Sequence, residues 1–67
     1  MDMGKKIREL RINAHLSQEE LAEKLFTSQD TVSLWETGKS SPNAEMILKI
    51  AYLFDVTTDE LLGKKIK

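Results

Sequence analysis

Apolar residues in this chain recur in short bursts at helical spacing, and each burst is bracketed by residues that start or stop helices. The first burst, Ile7 and Leu10, stands three apart among Lys5, Lys6, Arg8, Glu9 and Arg11, which predicts a helix from about Met3 to Asn13. Ala14-His15-Leu16 is a short connection. Ser17-Gln18-Glu19-Glu20 then reads as a capping box, with serine at the N-cap and glutamate three residues on. Leu21, Ala22 and Leu25 form the apolar face of a second helix that stops near Leu25. After a gap of about three residues, Thr27 or Ser28 caps a third helix whose apolar positions are Val32 and Trp35. Gly38 is placed to end it in the left-handed conformation. Lys39-Ser40-Ser41-Pro42 is a loop, and Asn43 caps a fourth helix to about Phe54, with Ile47, Ile50, Ala51 and Phe54 on its inner face. Val56 packs the following turn. Thr57-Thr58-Asp59-Glu60 is a second capping box, opening a short fifth helix with Leu61 and Leu62 that Gly63 ends. No segment alternates β-branched and polar residues for long, so strands are not expected.

The expected fold is therefore all-α: five short helices in one compact domain spanning 1–67, with 63–67 a frayed tail. At 67 residues the chain has room for one core. It contains no cysteine, which excludes disulfide staples and thiolate metal sites. Its one histidine, His15, makes no metal cluster and reads as solvated or capping. No apolar run approaches the roughly 18 residues of a membrane span, and Met1-Asp2-Met3-Gly4 is no signal peptide. A cytoplasmic protein without cofactor is expected. An enzyme is disfavoured: there is no Ser/His/Asp set, no metal cluster and no phosphate-binding glycine loop.

Function is carried by the second and third helices and the very short turn between them. Helices joined so tightly cross at a steep angle, and Ala22 is small where they should touch. Such a crossing leaves one face of the Ser28–Thr37 helix uncovered, opposite Val32 and Trp35. Ser28, Gln29, Asp30, Ser33, Leu34 and Thr37 lie on that face. They are mostly short or polar, suited to a major groove about 12 Å wide.

These stretches together resemble the phage-repressor-like (XRE-type) helix-turn-helix family, the group of the lambda repressor and the Cro proteins. The resemblance rests on Ile7-Arg8-Glu9-Leu10-Arg11, on Leu16-Ser17-Gln18-Glu19-Glu20-Leu21-Ala22, and on Ser28 through Val32-Ser33, Trp35-Glu36 and Gly38-Lys39. It extends to Leu48-Lys49-Ile50-Ala51 and Asp59-Glu60-Leu61-Leu62, and so covers about residues 3 to 63. It implies double-stranded DNA as partner and usually a homodimer on a palindromic operator. By position it implies base reading by Gln29, Asp30, Ser33 and Leu34. It implies phosphate contact by Gln18, Thr27, Ser28, Thr37, Lys39, Ser41 and Asn43. Arg11 and Glu36 match a family salt bridge between the first and third helices. Chemically, Gln29 suits adenine N6 and N7, Asp30 accepts from cytosine N4, and Leu34 packs on a thymine methyl.

Three features depart from the pattern. Phe26 stands where the family often has glycine; it is expected either to cover the core or to reshape the turn. Relatives often carry Arg or Lys where this chain has Gln29 and Leu34. The charge is also unfavourable for DNA: the chain is −1 overall, and residues 17–37 hold five acids against one lysine, a net of −4. Affinity for a polyanion comes from Lys and Arg displacing counterions. A dimer, or a partner protein, is therefore expected to supply what the helix lacks. Leu48, Tyr52 and Leu53 fall outside the inner face of the fourth helix and form a dimer or partner surface. Lys64, Lys65 and Lys67 are a solvated tail. The alternative function is a protein-interaction module on the same fold, an antirepressor or antitoxin-like subunit.

Overall fold

The computed structural model describes residues 3–63, which form α1 (Met3–Asn13), α2 (Gln18–Leu25), α3 (Gln29–Glu36), α4 (Ala44–Phe54) and α5 (Thr58–Leu61). The tail expected at 63–67, and with it Lys64, Lys65 and Lys67, lies outside the described residues apart from Gly63. Among the described residues there is no strand, and no helix is long and apolar enough to cross a membrane.

The helices begin where side-chain oxygens can take the first free backbone N–H groups. The Ser17 hydroxyl accepts from Glu20 N at 3.0 Å while Glu20 Oε1 accepts from Ser17 N at 2.8 Å. Thr57 and Glu60 repeat this reciprocal pair at α5. Asn43 Oδ1 accepts from Met46 N at 2.8 Å, and the Ser28 hydroxyl accepts from Thr31 N at 3.2 Å. Ser28, rather than Thr27, is therefore the cap of α3. Each such cap is worth about 1 kcal/mol, which matters in a domain this small.

The helix ends are less economical. Gly38 closes α3 at φ 80, where glycine is unstrained. His15, Phe26 and Asp55 hold the same left-handed position after α1, α2 and α4, at φ 60, 59 and 56. A Cβ there costs roughly 1–2 kcal/mol. The turn after α2 keeps its ordinary geometry: Thr27 N donates to Ala22 O at 2.9 Å and Phe26 N to Glu23 O at 3.2 Å. Neither expectation for Phe26 holds. The turn is not reshaped, and the phenyl ring does not cover the core; it is 88% exposed. The left-handed backbone turns its side chain away from the apolar face on which Leu25 is buried.

One core joins all five helices: Ile7 from α1, Leu21, Ala22 and Leu25 from α2, Val32 and Trp35 from α3, Ile50 and Ala51 from α4, Leu61 from α5. Leu10, Leu16, Met46, Ile47, Phe54, Val56 and Leu62 pack around it. Met3 also enters the core, an inward position that the sequence pattern did not single out. Gly4 beside it lets α1 lie directly on the end of α3. A Cβ there would stand 2.0 Å from the carbonyl oxygen of Trp35.

Candidate nucleic-acid interface

The uncovered face of α3 is defined by what the other face buries. Val32 and Trp35, three apart, are sunk in the core, and Ala22 of α2 is buried beside them. On the opposite side Gln29, Asp30 and Leu34 are exposed and Ser33 is half-buried. The four positions expected to read bases thus share one solvent face. Gln29 and Asp30 occupy the first turn, and no side-chain hydrogen bond within the described residues engages either. Their donors and acceptors are free for an external partner.

The residues expected at phosphates divide into two groups. The Ser28 hydroxyl is occupied, accepting from Thr31 N and lying 2.9 Å from the Thr31 hydroxyl. The Thr37 hydroxyl donates to Ser33 O at 3.0 Å, and Asn43 Oδ1 is committed to the α4 cap. These three shape the backbone first, although the Asn43 side-chain N–H groups remain available. Lys39 and Ser41 are exposed in the loop after α3, and Thr27 is half-buried in the turn. Gln18, at the first position of α2, is half-buried rather than projecting freely. Its Nε2 donates to Glu36 Oε1 at 3.1 Å. One of its two side-chain N–H groups is used inward, and the other remains to donate outward.

Glu36 anchors this arrangement. Arg11 Nε meets Glu36 Oε2 at 2.7 Å and Arg11 Nη2 meets Oε1 at 3.1 Å, a forked pair in which the side chains are only 13% and 3% exposed. Arg11 Nη1 also donates to Leu16 O at 2.8 Å. One guanidinium thereby ties α1 to the end of α3 and to the loop before α2, and through Glu36 it positions Gln18. Sequence spacing alone could not show that Gln18 belongs to this network, because the contact spans 18 residues.

The pair also changes the electrostatic picture. With Glu36 neutralised by Arg11, the free charges of α2 and α3 are Glu19, Glu20, Glu23 and Asp30 against Lys24, a net of −3. The Ser17 backbone N–H, helped by its hydroxyl, holds the Glu20 carboxyl below its ordinary value, so this capping group is ionised. Lys39 is the cation nearest in sequence to the exposed face of α3. Three or more metal-ligating side chains do not cluster anywhere among the described residues.

Residues 7–61 match the helix-turn-helix family model. The HTH-type transcriptional activator BcrR of Enterococcus faecalis is 45% identical over 63 residues, which are 94% of this chain and 31% of that protein. The HTH-type transcriptional regulator ImmR of Bacillus subtilis (strain 168) is 39% identical over 64 residues, 96% of this chain and 50% of that protein. The chain therefore spans about a third to a half of these relatives. Such relatives are transcriptional regulators, not enzymes. Among solved structures, the P22 c2 repressor in complex with a synthetic operator superposes with a TM-score of 0.89 at 28% identity, over 97% of this chain and 98% of that one.

Proposed function

Because this chain belongs to the phage-repressor-like (XRE-type) helix-turn-helix family, we propose that it is a DNA-binding transcriptional regulator that reads operator DNA with α3. The observation that carries this reading is the exposed face of α3: Gln29, Asp30, Ser33 and Leu34 project together from a helix locked by buried Val32 and Trp35. A similar fold has been solved on an operator. Gln29 pairs with adenine N6 and N7, Asp30 accepts from cytosine N4, and Leu34 packs against a thymine methyl. Gln18, Thr27, Ser28, Thr37, Lys39, Ser41 and Asn43 lie along the backbone contacts, several of them through main-chain N–H groups at the helix starts. The protein acts as a dimer, since one acidic helix pair gains little from counterion release. Its place of action is the cytoplasm, on the nucleoid.

Selection of bound duplexes from random DNA, followed by titration at several salt concentrations, tests this. Proteins with 6–10 phosphate contacts show a log–log salt slope of about −5 to −9. Here, with Lys39 the free cation nearest in sequence to α3, a slope no steeper than about −4 is expected for the dimer. The selected duplex should still bind at least about a thousandfold more tightly than random DNA. Failure to enrich any sequence would overturn the reading.

A further inference from the structure

The largest exposed apolar side chains gather away from the face of α3. A cleft of about 420 Å³ between the end of α2 and the middle of α4 is lined by Lys24, Leu25, Phe26, Lys49, Tyr52 and Leu53. Tyr52 is 91% exposed, and with Phe26 it is the most exposed large apolar side chain described. Phe26 holds a left-handed backbone there and gains no burial in return. Lys49 Nζ lies 5.9 Å from the centroid of the Phe26 ring, within cation–π reach. The two charges lining the cleft are both positive, in a chain whose acids outnumber its bases 11 to 10.

The sequence alone suggests either a second copy of the chain or a partner on Leu48, Tyr52 and Leu53. Two physical points favour the partner. A twofold contact centred on the cleft would bring two copies of Lys24 and Lys49 together, with no lining carboxylate to meet them. The apolar area is also modest. Two aromatic rings at about 200 Å² each, with partly exposed Leu48 and Leu53, reach about 500–600 Å², against roughly 800 Å² per partner in a stable globular interface. That area suits a short segment.

We propose that this cleft docks a short acidic segment of another protein. A bulky apolar side chain seats between Phe26 and Tyr52, and flanking carboxylates meet Lys24 and Lys49. No residue of α3 lines the cleft.

Short random peptides displayed on phage, selected on the 67-residue chain, test the proposal. The enriched peptides are then titrated against wild type, Lys49→Glu and, separately, Tyr52→Ser; both positions are exposed, and thermal melts check that each variant folds. Enriched peptides are expected to be net acidic with a leucine or aromatic residue. They should bind each variant at least about tenfold more weakly and shift the amide resonances of Phe26, Lys49 and Tyr52. The proposal is overturned if the enriched peptides are neutral or basic, or if they bind wild type and both variants equally. It is also overturned if sedimentation shows a dimer of the chain that Tyr52→Ser dissociates.

Discussion

Glu36→Ala is expected to leave the domain largely unfolded near physiological temperature. The substitution removes the carboxylate that accepts from Arg11 Nε, Arg11 Nη2 and Gln18 Nε2. The Arg11 guanidinium, only 13% exposed, keeps its bond to Leu16 O but loses its counter-charge. Breaking such a pair from one side costs about 3–5 kcal/mol. A domain of this length has roughly 3–10 kcal/mol in total. A fall in Tm of at least about 15 °C is therefore expected by circular dichroism. The double variant Arg11→Met with Glu36→Leu separates charge from packing. Replacing both partners by apolar groups of similar size is often neutral or stabilising, so the double variant should recover most of the lost Tm. A Glu36→Ala protein that melts within a few degrees of wild type would show that the pair is ornamental.

Gly4→Ala carries the second large effect, and its sign separates local from tertiary reasoning. Helix propensity alone says that alanine in place of glycine inside α1 gains about 1 kcal/mol. The structure says otherwise. The added Cβ would meet Trp35 O at 2.0 Å, Trp35 C at 3.1 Å and Glu36 C at 3.3 Å, all of them backbone atoms that no rotamer change can move. The start of α1 must then lift from α3, loosening buried Met3. Overpacking of this kind costs about 1–3 kcal/mol or more. A net loss of about 2 kcal/mol is expected, seen as a Tm lowered by about 8–16 °C. A raised Tm would contradict the close contact between α1 and α3.

What the sequence revealed and what it hid follow from how local each cause is. Caps, helix limits and the burial of Val32 and Trp35 depend on residues within a turn or two of one another, so Ser17-Glu20, Asn43, Thr57-Glu60 and Gly38 were legible directly. The Arg11–Glu36 pair, 25 residues apart, came only through the resemblance. Gly4 was overlooked because its reason lies 31 residues away, in the carbonyl of Trp35. Phe26 in place of the usual glycine suggests a ring that covers the core or a reshaped turn, whereas the turn keeps its left-handed backbone and the ring stays in solvent. The cleft it shares with Tyr52 exists only once α2 and α4 pack together. The face of α3 was legible as a pattern. That Ser28, Thr37 and Asn43 spend hydrogen-bonding capacity on the fold was not.

The central claim is that α3 distinguishes bases through its first turn, and Gln29 is where it is most exposed to test. Gln29 lies on the surface and supports no described side-chain contact, so Gln29→Ala should leave the Tm unchanged. Its binding should be measured by fluorescence anisotropy on the selected duplex and on every single-base variant of it. A bidentate base contact is worth about 1–3 kcal/mol, and the dimer makes one in each half-site, so Gln29→Ala should bind the selected duplex at least about 30-fold more weakly. It should lose its preference at one base pair per half-site, with non-specific binding unaltered. An unchanged affinity and an unchanged base profile would contradict the assignment of α3 as the reading helix.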